Sequence, residues 1–363
     1  MKRSATFDAS LDSLIYKIKA GEYGYIDEIF IAKGDSILYQ STFQNDYEMI
    51  GGNMSGKMGC GSKACKDSSE VHPYNYYHHK FHPYYLNEDL HTLQSITKSV
   101  LATIVGAAVL DGEIENIDQS IYPFFKEYNL TPSMIDHLKT ATIKDLLTME
   151  LGLSWKEMGL SLEMESDVSA MEISEDWVSY VLGQEIENIP GEQWNYNSGA
   201  SQLLSKIIQD ATGKTLADYA DQVLFKRLGI QDYYWKQTPM GRSDAEGGLY
   251  LKVEDLAKLG RLYLQNGMWE GQPILHANWT AEALAKQVND IYGDGGKEGY
   301  GYQWWLTADE PSLAVGLGYG NQILVINPAE DLIGVIYAWN VFDHSAKYIF
   351  RDFIETLGAL EVQ

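Results

Sequence analysis

The order of strand-like and helix-like segments along the chain constrains the fold most strongly. Residues 25–39 have the pattern of a hairpin, and residues 301–306, 321–326 and 332–339 have the pattern of strands. Helical patterns fill the intervening part, from residue 95 to residue 266. We therefore expect an α+β fold, in which both ends of the chain build one antiparallel sheet and an all-helical domain is inserted between them.

Each end of the chain also carries an amphipathic helix pattern, at residues 8–20 and at residues 346–357. These two helices are expected to flank the sheet, since each has one apolar face to bury. The sequence thus predicts a discontinuous α/β sheet domain made of residues 1–90 and 240–363. It predicts a helical domain made of residues 91–239.

A serine and a lysine open the long apolar helical pattern of residues 100–110. They belong to the segment Gln94-Ser95-Ile96-Thr97-Lys98-Ser99. In a helix, Ser95 and Lys98 lie three residues apart and therefore on the same face. The free N–H groups of the helix N-terminus suit a developing oxyanion. This pattern indicates a serine nucleophile activated by a lysine, while a serine near a helix cap beside a solvated lysine is the simpler alternative.

Two later segments carry residues that suit a substrate crevice. Tyr196 directly precedes the amphipathic pattern of residues 198–212, so its phenol can project into a crevice. A packed aromatic side chain with a hydrogen-bonded tip is the simpler alternative. Residues 314–322 are glycine-rich and are predicted to form a turn that leads into a strand. Glycines there would let a substrate approach the backbone closely.

Five segments together resemble the serine β-lactamase and penicillin-recognising superfamily. In chain order they are LHTLQSITKSV, ATIKDLLTMELGLSW, PGEQWNYNSGASQLLSKII, GGLYLKVEDLAKLGRLYLQNG and GYGYQWW. The branch they resemble most is the class C-like hydrolases, which include esterases and 6-aminohexanoate-dimer hydrolases. The resemblance covers residues 90–340. It implies a β-lactamase/transpeptidase-like fold with the active site in the crevice between the sheet domain and the helical domain.

The resemblance also implies a role for each residue of that site. Ser95 would be the acylated nucleophile, Lys98 the general base, and Tyr196 the relay that passes a proton to the leaving group. The oxyanion hole would combine the Ser95 N–H with a backbone N–H just after the glycine-rich turn. This chemistry requires no cofactor and no metal. The residues expected to contact the substrate are Ser198, Gly316, Gly318, Tyr319 and Trp177.

Two departures from the superfamily's pattern bear on the substrate. The tyrosine motif ends in Ser198 where penicillin-recognising members have asparagine, so no carboxamide can bridge the substrate amide and the lysine. The Lys-Thr-Gly or His-Thr-Gly element is replaced by Gly316-Leu317-Gly318, which offers no cation to a β-lactam carboxylate. We therefore expect hydrolysis of small esters or linear amides. The alternatives are a β-lactamase or penicillin-binding D,D-peptidase, and a non-catalytic binding protein on the same scaffold.

The charge of the chain limits its partners. A formal net charge of −24 repels nucleic acid, anionic membrane surfaces and anionic antibiotics at long range. No stretch reaches 18 consecutive apolar residues, so no membrane span is expected. The expected partner is a small ester or amide, and the oligomeric state stays open. Residues 1–20 contain no signal-peptide core. A periplasmic or secreted location is favoured if a signal was trimmed, and a cytoplasmic one otherwise.

A long segment without periodicity, residues 43–87, precedes the nucleophile. Cys60 and Cys65 lie in it at a spacing that fits neither a C-x-x-C redox motif nor a four-ligand zinc site. A local disulfide and two free thiols are both compatible with that spacing. The segment's histidines repeat no known ligand spacing, so we expect no metal there: His72, His78, His79 and His82. We interpret the segment as a loop that covers the crevice edge or a subunit contact.

Overall fold

The computed structural model describes residues 4–47, 89–158, 166–309, 311–341 and 346–360, and within them one antiparallel sheet joins the two ends of the chain. Its strands, in spatial order, are β2 (Ser36–Thr42), β1 (Ile26–Lys33), β13 (Leu332–Ala338), β12 (Gln322–Asn327), β11 (Ala314–Gly318), β10 (Trp305–Leu306), β9 (Gly299–Tyr300) and β8 (Val288–Asn289). Strand β1 pairs with β13 from Ile26 opposite Ala338 to Lys33 opposite Leu332. The predicted antiparallel sheet built from both chain ends is therefore confirmed.

Shorter strands lie outside this sheet. A three-stranded sheet has the order β3 (His91–Thr92), β5 (Leu249–Leu251) and β4 (Tyr234–Trp235), and a hairpin joins β6 (Met268–Trp269) to β7 (Gln272–Pro273). Strand β3 directly precedes the serine–lysine segment. The small sheet takes its strands from both predicted domains, and the domain boundaries at residues 90 and 240 remain a proposal.

Helices fill the middle of the chain and cover both faces of the sheet. Those in the described residues are α1 (Ala5–Lys19), α2 (Ile96–Asp111), α3 (Pro132–Thr140), α4 (Ile143–Leu147), α5 (Asp167–Glu172), α6 (Trp177–Leu182), α7 (Ser198–Thr212), α8 (Leu216–Ala220), α9 (Lys226–Leu228), α10 (Val253–Leu264), α11 (Ala277–Ala283) and α12 (Phe350–Gly358). A 3₁₀ turn spans Tyr122–Phe125 and a π turn spans Asp221–Phe225. Among the described residues, no helix combines the length and the apolarity that a bilayer crossing requires.

The sheet separates two hydrophobic cores because side chains alternate between its faces. On strand β1, Ile29 and Ile31 face the core beneath the terminal helices α1 and α12, whereas Phe30 faces the main core. Helix α2 runs through the main core and is buried from Ile96 to Ala108. A helix that is apolar on all sides must be central, and this places the serine–lysine segment in the interior of the fold.

Several predicted elements begin or end elsewhere than the sequence indicates. Residues 301–306 do not form one strand, because β9 and β10 pair with each other around a turn in which Gln303 has a φ of 60°. The last helix begins at Phe350, four residues later than predicted. Residues 48–88 lie outside the described residues, so the predictions for the two cysteines and the four histidines stay predictions.

The glycine-rich segment also differs from its prediction. Residues 314–318 are themselves a strand, β11, and the turn comes after them at residues 319–321. Gly316 and Gly318 lie where β11 crosses the beginning of helix α2. A Cβ on Gly316 would lie 3.2 Å from Ile96, and a Cβ on Gly318 would lie 2.4 Å from the carbonyl oxygen of Leu93. The glycines thus permit close packing of a strand that the sequence pattern did not reveal.

We expect the Gly318→Ala variant to unfold more easily than the wild type. The carbonyl of Leu93 accepts the hydrogen bond that starts helix α2, from the N–H of Ile96, so the added methyl group would press on the start of that helix. Overpacking of this kind costs about 1–3 kcal/mol of unfolding free energy. Urea denaturation measures the difference. Gly358→Ala is the matched control, since nothing lies within 4 Å of its Cβ. Equal stability of both variants would contradict this account of Gly318.

Candidate active site

Ser95 lies at a sharp turn between strand β3 and helix α2. The preceding residue, Gln94, has a φ of 48°, a left-handed conformation that non-glycine residues rarely adopt. Thr92 stabilises this turn, because its Oγ1 accepts hydrogen bonds from the backbone N of Gln94 at 3.3 Å and from its Nε2 at 3.1 Å. The turn leaves Ser95 half-buried at the start of a buried helix.

Lys98 is 1% exposed, and its amine is directed at the serine. Its Nζ donates hydrogen bonds to Ser95 Oγ at 2.9 Å and to the backbone carbonyl of Glu246 at 2.6 Å. The carboxylate Oε2 of Glu246 lies 3.5 Å from the same nitrogen. The amine also lies 5.2 Å from the centre of the Tyr196 ring. The spacing argument on helix α2 therefore identified two side chains that are in contact.

Tyr196 approaches the same serine from the start of helix α7. The Asn197 side chain caps that helix by accepting a hydrogen bond from the N–H of Ala200 at 3.0 Å, and this fixes the backbone beside Tyr196. Burial raises the pKa of the Tyr196 phenol well above its ordinary value, and the charge of Glu157 raises it further, whereas a hydrogen bond with Ser95 opposes the rise. The phenol is therefore protonated at neutral pH and can donate a proton.

The sequence analysis missed Glu157, a half-buried carboxylate beside the tyrosine motif. Glu157 accepts hydrogen bonds from the N–H of Ser198 at 2.9 Å, from Ser198 Oγ at 2.6 Å and from Trp155 Nε1 at 2.7 Å. Burial raises the pKa of Glu157, while Lys98 lowers it. No spacing in the sequence marks Glu157, because it meets Ser198 only through the fold. The sequence analysis predicts that the Ser198 hydroxyl contacts the substrate. In the structure this hydroxyl donates its hydrogen bond to Glu157.

The other residues predicted to contact the substrate lie at different depths. Gly316 and Gly318 lie on β11 beside the start of helix α2, and Tyr319 begins the turn that follows, where it is partly exposed. Trp177 is the first residue of helix α6 and is 2% exposed within the main core. The structure thus brings the two glycines beside Ile96 and Leu93, which flank Ser95 in the chain, and leaves the Trp177 ring packed among apolar side chains.

An aromatic cluster, defined here as Trp194, Tyr196, Tyr300 and Trp305, adjoins the serine. The Trp305 ring stacks on Tyr196 at 5.4 Å between ring centres with an interplanar angle of 30°. Trp194 contacts Trp305 edge-on at 5.6 Å, and Tyr300 does so at 5.4 Å. Trp194 and Trp305 are half-buried, so the cluster presents an apolar wall next to the phenol. Its members come from the segments PGEQWNYNSGASQLLSKII and GYGYQWW, whose proximity the sequence did not reveal.

Gln303 connects the elements that surround the site. Its backbone carbonyl accepts a hydrogen bond from Ser99 Oγ on helix α2 at 2.8 Å, and its Oε1 accepts one from Ser201 Oγ on helix α7 at 2.9 Å. Its Nε2 donates to the carbonyls at the end of helix α4, which belong to Leu146 and Leu147. The backbone and the side chain of this one buried residue therefore connect three helices to the turn that precedes strand β10. In the part of the chain that the structure describes, no group of three His, Cys, Asp or Glu side chains could hold a metal ion.

Comparisons with known proteins agree with this architecture. The 6-aminohexanoate-dimer hydrolase of Paenarthrobacter ureafaciens is 26% identical over 275 residues, which cover 71% of this chain and 67% of that protein. The penicillin-binding protein of Bacillus halodurans superposes with a TM-score of 0.63 at 16% identity, covering 97% of this chain and 100% of that one. EstCE1, a hydrolase with promiscuous acyltransferase activity, superposes with a TM-score of 0.67 at 12% identity, covering 98% of each chain. At sequence identities of 16% and 12%, these two superpositions show that the fold is shared.

The family comparison covers the site itself. The model of the Beta-lactamase family matches residues 80–347, a span that contains Ser95, Lys98 and Tyr196 and most of the described sheet. It therefore extends over more than half of the chain and includes both the helical segment and the strands that pack against it. The chain belongs to the β-lactamase family and is a hydrolase of that fold.

Proposed function

We propose that this protein is a serine hydrolase that forms an acyl-enzyme on Ser95 and cleaves small esters or linear amides. The observation that carries the proposal is the 2.9 Å contact between Lys98 Nζ and Ser95 Oγ, made by an amine that is almost fully buried. A serine hydroxyl needs an adjacent base to attack a carbonyl carbon, and the contact with Lys98 supports the assignment of this role to its amine.

The reaction proceeds by two acyl transfers. In its neutral form, the Lys98 amine takes the proton from Ser95 Oγ while this oxygen bonds to the substrate carbonyl carbon. The Ser95 N–H and a backbone N–H at the end of β11 stabilise the resulting oxyanion. The Tyr196 phenol passes a proton to the leaving oxygen or nitrogen as the bond to it breaks, and it is reprotonated from Lys98. Water then attacks the acyl-enzyme and releases the acid and free Ser95.

Three observations favour linear amides and esters as substrates. One sequence relative is a 6-aminohexanoate-dimer hydrolase, whose named substrate is a linear amide, and the structural neighbour EstCE1 is a hydrolase with acyltransferase activity. Gly316 and Gly318 carry no side chain that could bind the carboxylate of a β-lactam. The aromatic cluster offers an apolar wall to an alkyl or aryl group next to Tyr196.

A fluorophosphonate probe tests the proposal directly, because it reacts with activated serine hydroxyls. We expect one adduct per chain, and we expect mass spectrometry of the digested protein to locate it on the peptide that contains Ser95. Heat-denatured protein serves as the control and should remain unlabelled. Absence of an adduct, or an adduct only on another residue, would overturn the proposal.

A substrate panel then separates the possible activities. It comprises nitrophenyl esters, the linear dimer of 6-aminohexanoate and a fluorescent penicillin. We expect turnover of the esters or the amide and slow or absent turnover of the penicillin. Efficient penicillin hydrolysis would instead identify a β-lactamase.

A further inference from the structure

We propose that Glu246 is a positioning residue for Lys98: its backbone carbonyl and its carboxylate direct the amine at Ser95. The inference rests on the proposed function of Ser95 and Lys98. It starts from the two contacts that a single residue makes with one nitrogen, at 2.6 Å through the carbonyl and at 3.5 Å through Oε2.

The turn that carries Glu246 is rigid. Asp244 Oδ1 accepts hydrogen bonds from the N–H of Glu246 at 3.2 Å and from the N–H of Gly247 at 3.1 Å. Gln202 on helix α7 accepts a hydrogen bond from the N–H of Ala245 at 3.1 Å. Gly248 allows this geometry, since a Cβ there would lie 2.5 Å from that of Asp244. The position of the Glu246 carbonyl is therefore determined by side chains on both sides of the turn.

Other titratable groups surround the amine and its partner. Ser95 faces Lys98 from the same helix, and Tyr196 and Glu157 face it from the tyrosine motif and the segment packed on it. Asp244 and Lys236 are buried behind Glu246, and burial raises the pKa of Asp244 to about 7 and lowers the pKa of Lys236 to about 8.

Glu172 on helix α5 completes this set of groups. Burial raises the pKa of Glu172 well above its ordinary value, and the neighbouring charge of Glu246, with which it shares a hydrogen bond, raises it further. The protonated form of Glu172 is therefore favoured, and its O–H can donate to the Glu246 carboxylate.

This arrangement has a consequence for catalysis. The carbonyl and the carboxylate restrict the amine to one orientation, which keeps its Nζ within hydrogen-bond reach of Ser95 Oγ. A side chain at position 246 that holds the amine less well should therefore slow the attack by Ser95 without changing how tightly a small molecule binds beside it.

The test measures the rate of Ser95 labelling by a fluorophosphonate as a function of probe concentration, in the wild type and in Glu246→Gln. The glutamine keeps the backbone carbonyl and the shape of the side chain but removes the charge. We expect the maximal labelling rate to fall by about tenfold or more, because a small misplacement of a reacting group lowers a rate by up to about 100-fold. The probe concentration that gives half of the maximal rate should stay unchanged, since Glu246 acts through Lys98.

Two further variants make the result specific. Glu192→Gln changes the net charge equally at an exposed position and should leave the labelling rate unchanged. Glu246→Asp keeps the carboxylate on a shorter side chain, so its maximal rate should lie between those of the wild type and the glutamine variant; it decides the question if the glutamine variant does not fold. A wild-type maximal rate in Glu246→Gln or in Glu246→Asp overturns the inference, while labelled wild-type Ser95 upholds the proposed function. Wild-type protein that is not labelled at Ser95 overturns both.

Discussion

Alanine in place of Ser95 should eliminate probe labelling and reduce kcat/KM for an activated ester by about 10⁴-fold or more, the scale observed when a serine hydrolase loses its nucleophile. The hydroxyl oxygen is the atom that bonds to the substrate carbon, and alanine offers no substitute. Ser95 is half-buried and its side chain contacts Lys98 Nζ. The fold should therefore tolerate the substitution, and we expect the unfolding free energy to change by about 1 kcal/mol.

Ser133→Ala is the matched control for this experiment. Ser133 is an exposed serine near the start of helix α3, where its hydroxyl contacts that of Thr131. The same chemical change there should leave both labelling and kcat/KM at wild-type values. If Ser95→Ala still hydrolysed the ester at the wild-type rate while remaining folded, the nucleophile would have to be another group.

Methionine in place of Lys98 should lower kcat/KM by about 10²–10⁴-fold, the usual contribution of a general base. Methionine fills most of the volume of the lysine side chain but cannot accept the serine proton or donate to the carbonyl of Glu246. Ser95 would then attack without a base. We expect the loss mainly in kcat, since Lys98 acts on the reacting oxygen. Steady-state kinetics with a nitrophenyl ester measures both parameters.

A second buried lysine provides the control for Lys98→Met. Lys206 on helix α7 is 2% exposed and forms ion pairs with Glu127 and Asp210, away from Ser95. Lys206→Met should lower the unfolding free energy, because it leaves two carboxylates without their cation, but the folded variant should retain kcat. Comparable losses of kcat in both variants would mean that the effect of Lys98→Met arises from disrupted packing.

The sequence predicted the parts of the site that depend on local geometry. Ser95 is the N-cap of helix α2, three residues before Lys98, so their contact follows from helix periodicity. The resemblance to a known superfamily indicated Tyr196. Glu157 and Glu246 could not be predicted in this way, because Glu157 meets Ser198 across 41 positions of the chain and Glu246 meets Lys98 across 148. Such contacts depend on the packing of helices against loops, which has no period to detect.

The same distinction explains which elements of the fold were predicted. The hairpin of residues 25–39 and the helix at residues 198–212 have clear periodicity, and both are confirmed. Strand β11 has two glycines where apolar residues would alternate, because helix α2 crosses it too closely for side chains. The turn at Gln303 was missed because a left-handed glutamine has no sequence signature; contacts with three helices stabilise it there.

The pairing of β1 with β13 has a consequence for how the chain acquires its structure during synthesis. Strand β1 can find its partner only after Leu332–Ala338 has left the ribosome, so the early hairpin must wait with one edge unpaired while the helices form. Helices α2 to α8 contact one another within a single stretch of chain and can assemble before that moment. Strand β11, which packs on the start of helix α2, is therefore added late, to a helix that is already in place.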